Sequence, residues 1–132
     1  KNDHAVAEQI RGRLIPGLRE ESTNLCGDTS LAQAIDLLSC ADAVVSNDSG
    51  LMHVAAALNR PLVAVYGSTS PGFTPPLADQ VEMVRLGLDC SPCFDRTCRF
   101  GHYNCLRDLA PAQVDAALDR LVGDLLPDPQ DS

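Results

Sequence analysis

The chain has 132 residues, of which 45% are hydrophobic, and a formal net charge of −8. A nucleic acid is held mainly by clustered lysine and arginine side chains, so this charge and only ten scattered basic residues argue against a nucleic-acid partner. No apolar run approaches the ~18 residues of a membrane span, and the first residues lack a hydrophobic signal-peptide core. We therefore expect a cytoplasmic protein with no transmembrane segment.

The first third of the chain predicts two helices. The predicted elements are a helix over residues 3–14, a polar connection over 17–24, a short strand end at 25–26 and a second helix over about 31–40. Either Thr29 or Ser30 can cap the second helix, because a hydroxyl oxygen there accepts from a backbone N–H that is otherwise unpaired.

The middle of the chain predicts a strand, a helix and a strand in succession. Residues 43–46 form a short β-branched run without alternation, which is typical of a strand covered on both faces in a parallel sheet. A helix over 51–58 and a second buried strand over 62–66 complete a right-handed βαβ unit. A loop with three prolines and two glycines follows over 67–76, and residues 81–86 are a plausible further strand.

The last part of the chain predicts one long helix after an irregular segment. Residues 88–108 show no periodicity, whereas 111–126 carry an apolar stripe at helical spacing. The final residues, 127–132, are predicted to be a disordered tail. The fold class predicted is α/β, a Rossmann-like open parallel sheet with flanking helices, in one domain over residues 1–126 that includes the cysteine-rich loop.

The turn after the first predicted strand points to an anion-binding site. Ligands of open parallel sheets lie outside the carboxyl ends of the strands, and this end leads straight into a helix. The N–H groups of Ser49, Gly50 and Leu51 are then unpaired within that helix and backed by the positive end of its dipole. Gly50 allows a phosphate to approach the backbone, and His53 is placed to add a side-chain donor. An acidic protein can hold such a small anion through local N–H groups.

Asp48 stands in the same turn and has two possible roles. Its carboxylate would repel a diphosphate unless it is engaged elsewhere, so it either caps the helix or binds a sugar hydroxyl while the phosphates meet only the backbone. His53, on residue type alone, is equally consistent with a ligand contact and with a structural histidine. The residues themselves leave both pairs of alternatives open.

Four of the six cysteines fall within sixteen residues, with the spacing C-x2-C-x4-C-x6-C. Four thiolates can surround zinc tetrahedrally, which makes Cys90, Cys93, Cys98 and Cys105 candidate ligands of a structural zinc ion, with His102 as an alternative ligand. Two disulfides formed under oxidation, or free cysteines in a structured loop, are the other possibilities.

The run SNDSGLMHVAAALNRPLVAVYG at 46–67, followed by STSPGFTPPL at 68–77, resembles the signature of the ADP-heptose:lipopolysaccharide heptosyltransferases. The resemblance extends through GDTSLAQAIDLLSCADAVV at 27–45 and covers nearly the whole chain. It implies the GT-B architecture, in which two Rossmann-like domains face a cleft and the C-terminal domain holds the nucleotide donor. The chain then corresponds to the C-terminal part of such an enzyme.

The resemblance also implies roles for individual residues. The Asp-Ser-Gly at 48–50 matches the family's phosphate-binding Asp-Thr/Ser-Gly, and His53 matches the histidine that follows it. Thr29, with Ser30 and Leu31, matches the loop and helix start that lie against the adenosine.

Three family elements have no counterpart in this sequence. The N-terminal domain that carries the catalytic aspartate and the acceptor surface is expected outside it, as is a glycine-rich segment with a lysine, which would precede Lys1. The acidic residue that contacts the ribose has no secure match, and Glu8 is only a loose substitute.

The resemblance therefore implies the donor-binding portion of an inverting glycosyltransferase that moves heptose from ADP-heptose to the lipopolysaccharide inner core. Transfer would need no cofactor, the isolated chain would be inactive without its base, and the whole enzyme would be cytoplasmic or peripheral to the inner membrane. The alternative is a non-catalytic, cysteine-stapled α/β module that binds a nucleotide or a protein.

Overall fold

A computed structural model describes residues 2–123 of the chain. The predicted tail over 127–132 and the predicted end of the last helix lie outside these residues, and the single domain over 1–126 stays a prediction. The chain divides into two compact units, Lys1–Leu37 and Leu38–Ser132. The described elements are α1 (Asn2–Arg11), α2 (Pro16–Glu21), α3 (Leu31–Ser39), β1 (Val44–Asn47), α4 (Gly50–Ala57), β2 (Leu62–Val65), β3 (Val81–Val84), α5 (Asn104–Arg107) and α6 (Pro111–Val122).

Two expectations for the first unit are wrong. Most of the predicted polar connection over 17–24 is helix α2, because Pro16 occupies the first turn, where its fixed φ favours a helix and its missing N–H costs no hydrogen bond. The predicted strand end at 25–26 is a turn instead. There the Asn24 side chain accepts from the N–H of Cys26 at 3.0 Å, a local bond that competes with strand pairing.

Helix α3 begins with a reciprocal pair of hydrogen bonds at Ser30. The Ser30 hydroxyl accepts from the N–H of Gln33 at 3.3 Å, and the Gln33 side chain accepts from the N–H of Ser30 at 2.8 Å. This arrangement is a capping box, which satisfies two backbone donors that the helix itself leaves unpaired. Of the two candidates for the cap, Ser30 rather than Thr29 performs it.

The second unit contains a three-stranded parallel sheet with the order β1-β2-β3. Val44 pairs with Leu62, and Leu62 pairs in turn with Val81. The open parallel sheet with flanking helices confirms the predicted fold class. One detail is wrong: β1 is an edge strand of the described sheet rather than a strand covered on both faces. Its burial alternates, and Val45 is 51% exposed.

The core of this unit lies on the two faces of β2. On one face, α4 packs Met52, Ala55 and Ala56 against Leu62, Ala64 and Tyr66. On the other face, α6 packs Ala117 against Val63 and Val84. The unbroken apolar run Leu62-Val63-Ala64-Val65 is the pattern of a strand that is covered on both sides. The predicted buried strand is therefore confirmed.

Helix α6 begins at Pro111, as the sequence predicts. The Gln113 side chain accepts from the N–H of Ala110 at 3.1 Å and closes its first turn. An exposed ion pair of 2.8 Å joins Arg120 on this helix to Glu82 on β3. Within residues 2–123, no helix combines the length and the apolar character needed to cross a membrane.

Candidate functional site

The predicted anion site lies where β1 ends and α4 begins. We call residues 46–53 the α4 edge. The N–H of Asp48 donates to Val65 O at 3.1 Å, which continues the pairing with β2 one residue past the strand. Ser49 is the N-cap of α4, with extended backbone, and its side chain makes no capping hydrogen bond. The sheet thus positions the start of the helix while leaving its first turn uncapped.

The first turn of α4 keeps its backbone donors open. The first bond of the helix runs from the N–H of His53 to Ser49 O at 3.5 Å. Among residues 2–123, no protein atom accepts from the N–H groups of Ser49, Gly50 or Leu51. Apart from its chain neighbours and the backbone of α4, no atom of the described residues lies within 4 Å of a Cβ built on Gly50, so open space lies beside this backbone. These are the geometric requirements of an anion site at a helix N-terminus.

Asp48 does not cap the helix. Its Oδ2 accepts a hydrogen bond from the Thr74 hydroxyl at 3.0 Å, and its Oδ1 lies 4.0 Å from His53 Nε2. The Asp48 side chain is 13% exposed and that of His53 is 45% exposed. Of the roles left open by the sequence, capping is thus wrong for Asp48. One oxygen of its carboxylate is instead held by the Thr74 hydroxyl and the other faces His53, which leaves the N–H groups to a ligand.

Thr74 is itself fixed by a buried tyrosine. The Tyr66 hydroxyl donates to Thr74 O at 2.8 Å and lies 3.7 Å from the sulfur of Met52. Burial, with a smaller contribution from the charge of Asp48, raises the pKa of Tyr66, so it remains a neutral donor. Sequence reasoning missed both Thr74 and Tyr66. The signals were a tyrosine at the end of a buried strand and a threonine among the prolines of the loop.

A groove runs beside the α4 edge. His53 and Thr74 provide its polar groups, and the other lining side chains are apolar: Ala56, Ala57, Phe73, Pro75 and Leu77. Phe73 is 75% exposed and meets Phe94 edge-on, with ring centroids 5.1 Å apart. The groove therefore offers an apolar wall next to a histidine that can donate or accept a hydrogen bond.

The residues matched to the adenosine loop lie in the first unit. Thr29 and Ser30 precede α3, and Leu31, its first residue, is 67% exposed. Glu8, the loose match for the ribose contact, is engaged within the same unit, since its Oε1 accepts from Asn24 at 2.8 Å and from Arg11 at 3.0 Å. These hydrogen bonds, chiefly the one from Asn24, lower the pKa of Glu8 and keep its carboxylate charged.

The cysteine stretch, residues 88–108, gathers its four cysteines around one cavity. Cys90, Cys93, Cys98 and Cys105 all line this space of about 120 Å³. Hydrogen bonding from the backbone, chiefly of Tyr103, lowers the pKa of Cys98. Burial, followed by the nearness of the other three cysteines, raises the pKa of Cys105. The four thiols are therefore neighbours in space as well as in sequence.

The structure joins none of these cysteines in a disulfide, and all six are free thiols. Among the described residues, no three side chains of His, Cys, Asp or Glu are arranged to hold a metal ion as they stand. The His102 alternative is weakened because its Nδ1 accepts from the N–H of Asn104 at 3.0 Å.

Comparison with known proteins places this architecture in a family. The family model for glycosyltransferase family 9 (heptosyltransferase) matches residues 1–104. The chain is 45% identical to lipooligosaccharide heptosyltransferase 2 of Haemophilus ducreyi over 126 residues, which cover 92% of the chain and 36% of that protein. It is 42% identical to lipopolysaccharide heptosyltransferase 2 of Escherichia coli over 120 residues, which cover 91% of the chain and 34% of the relative.

A solved structure shows the same fold. The chain matches the structure of E. coli ADP-heptose lps heptosyltransferase II with a TM-score of 0.79 and 41% identity, over 93% of this chain and 34% of that one. The chain thus spans about a third of the length of these relatives.

Proposed function

Because the chain belongs to glycosyltransferase family 9, the heptosyltransferases, we propose that it is the donor-binding portion of an enzyme that moves heptose from ADP-heptose to the lipopolysaccharide inner core. The observation that carries this proposal is the set of open N–H groups at Ser49, Gly50 and Leu51. The relatives named above are heptosyltransferases 2. They do not favour the alternative of a non-catalytic module.

In the proposed reaction, an acceptor hydroxyl oxygen attacks the anomeric carbon of the heptose. The bond between that carbon and the β-phosphate oxygen breaks, and ADP leaves with the electron pair. The α4 edge stabilises the charge that develops on the diphosphate, because its N–H groups and helix dipole are already oriented and need no rearrangement. The hydroxyl proton passes to a base, which we assign to none of the residues described here.

Asp48 has a specific part in this scheme. Its carboxylate would repel the departing diphosphate, but the Thr74 hydroxyl holds one oxygen and His53 faces the other. We place the diphosphate against the backbone N–H groups and the sugar on the side of the groove where His53 lies. Thr29, Ser30 and Leu31 are proposed to contact the adenosine. This transfer needs no metal ion, and the enzyme as a whole would act at the inner membrane as a peripheral protein.

The test is a substitution at Gly50 that should leave the fold intact and block binding of the donor. Gly50→Val places its side chain in space that no protein atom occupies, so we expect normal stability. Affinity for ADP-heptose, measured by calorimetry on the protein that contains this chain, should fall by about tenfold or more because the branched side chain blocks the diphosphate. Transfer of heptose to acceptor should fall with it.

Gly17→Val is the matched control. Gly17 also lies in the first turn of a helix, and a Cβ there also meets nothing within 4 Å. We expect this variant to bind the donor like the parent protein. Unchanged donor affinity in Gly50→Val would overturn the assignment of the diphosphate to the α4 edge. Tight binding of ADP-heptose without transfer to any lipopolysaccharide acceptor would support the binding module instead.

A further inference from the structure

The heptose transfer proposed above leaves the four clustered cysteines without a role. All four cysteines line one cavity of about 120 Å³. The other two cysteines lie elsewhere, Cys26 in the turn that follows α2 and Cys40 just after α3, and neither lines this cavity. The chain therefore separates its cysteines into a set of four and two isolated ones.

Two other candidate ligands at the cavity, Asp95 and His102, already have partners. The carboxylate of Asp95 accepts from Arg99 at 2.7 Å. The ring of His102 stacks on Phe100 with centroids 5.6 Å apart, and its Nδ1 accepts a backbone hydrogen bond, which puts the proton of the neutral ring on Nε2. The thiols are consequently the donors left to bind a cation, and thiolate sulfur is a soft ligand that favours zinc over magnesium or calcium.

The surroundings can also balance the charge of such a site. Four thiolates around Zn²⁺ carry a net charge of −2, which needs nearby cations or N–H groups. Arg96 and Arg99 line the cavity. The chain turns tightly beside Cys98, where the N–H of Gly101 donates to Cys98 O at 3.0 Å. The two guanidinium groups supply positive charge next to a tetrathiolate ion.

The cavity is fastened to the exit of strand β2. The Ser91 hydroxyl donates to Gly67 O, and the N–H groups of Cys93 and Phe94 donate to Ser68 O at 3.0 and 2.8 Å. On the other side of the cavity, the Leu106 side chain packs so closely on Gly67 that a Cβ there would come within 2.7 Å. The segments that carry the first pair of cysteines and the fourth cysteine are thus held against Gly67 and Ser68, two residues that follow β2.

We propose a structural zinc site formed by four thiolates of the cysteine stretch: Cys90, Cys93, Cys98 and Cys105. The thiols line the cavity without yet surrounding one point, and each reaches a new sulfur position by rotation about its single side-chain torsion. Binding of Zn²⁺ displaces the four thiol protons to solvent and closes the stretch onto the end of β2. The ion has no open coordination position, so its function is to hold the fold and not to catalyse.

The decisive experiment counts thiols that zinc protects. The protein is prepared under reducing conditions, supplied with zinc chloride or with a chelator, and treated with iodoacetamide, and the modified cysteines are mapped by peptide mass spectrometry. With zinc, we expect about one equivalent of bound metal, rapid reaction at Cys26 and Cys40, and reaction about tenfold slower at the other four. With the chelator, all six should react.

Two variants test whether zinc binds at this site or at cysteines elsewhere in the chain. Cys98→Ser should lose the bound zinc, whereas Cys40→Ser, at an exposed position outside the cavity, should keep it. If Cys98→Ser fails to fold, cobalt replaces zinc in the parent protein, and a sulfur-to-cobalt charge-transfer band with tetrahedral visible absorption gives the same answer. Six equally reactive thiols in the presence of zinc, disulfides in reduced protein, or a cobalt spectrum without thiolate bands would each overturn the proposal.

Discussion

The α4 edge and the cysteine stretch both border the end of strand β2, yet they are built in opposite ways. At the α4 edge the functional groups are backbone N–H donors. They are positioned by β1 and by α4, whose inner face is buried in the core. In the cysteine stretch they are side-chain thiols, carried by turns and one short helix, α5. A site made of backbone is organised as soon as the fold forms, whereas a site made of side chains on loops depends on what binds there.

This contrast predicts that a loss of core packing damages the α4 edge most. Leu62, on strand β2, is fully buried against α4, and Leu62→Ala should lower the free energy of unfolding by about 2–5 kcal/mol because it leaves a cavity. Chemical denaturation gives the measurement. Donor binding should weaken together with stability, while thiol protection by zinc at low temperature should survive. Equal loss of both properties would show that the two regions are not organised differently.

A smaller loss of stability should follow from disturbing the contact between the cysteine stretch and the residue Gly67, which follows β2. In Gly67→Ala the new Cβ would lie 2.7 Å from the Leu106 side chain, so that side chain must move away, at a cost of about 1–2 kcal/mol in thermal or chemical unfolding. The double variant Gly67→Ala with Leu106→Ala removes the clash and should recover part of that loss. Additive destabilisation in the double variant would contradict the contact that we describe between Leu106 and the strand exit.

The smallest effect concerns the link between the loop and Asp48. Thr74→Val keeps the shape of the side chain and removes the hydroxyl that donates to Asp48, which should weaken donor binding by about fivefold, or ~1 kcal/mol. Thr74→Ser keeps the donor and is the matched control. The change should appear in KM for the donor more than in kcat, since Thr74 positions a carboxylate and does not touch the reacting atoms. An unaltered KM in Thr74→Val would remove Thr74 from the site.

The parts of the molecule that the sequence predicts well are those with a clear period or a local signal. The buried run at β2, the apolar stripe of α6 and the turn that opens α4 all depend on neighbours in the chain, and the structure confirms them. The contact between Thr74 and Asp48 joins residues 26 positions apart, and no local pattern encodes it. The exposure of Val45 depends on what packs against that face of β1, which is likewise a tertiary fact.

Errors in the first unit have a different physical origin. The segment PGLREE carries a proline and a glycine, which suggests a connection, but proline is favoured in the first turn of a helix and the remaining residues are good helix formers. The choice between Thr29 and Ser30 as the cap could have been made from the sequence. Gln33 stands three residues after Ser30, the spacing of a capping box, and this signal was available.

The hydrogen bonds of Tyr66 bear on how mutational surveys of this family are interpreted. Its hydroxyl joins Met52, in the core of α4, to Thr74 and through it to Asp48. A substitution at Met52 or Tyr66 can therefore displace the carboxylate without any contact with the donor. Positions that a survey scores as intolerant will include such interior residues, and sensitivity alone will not separate a residue that touches the nucleotide sugar from one that supports it.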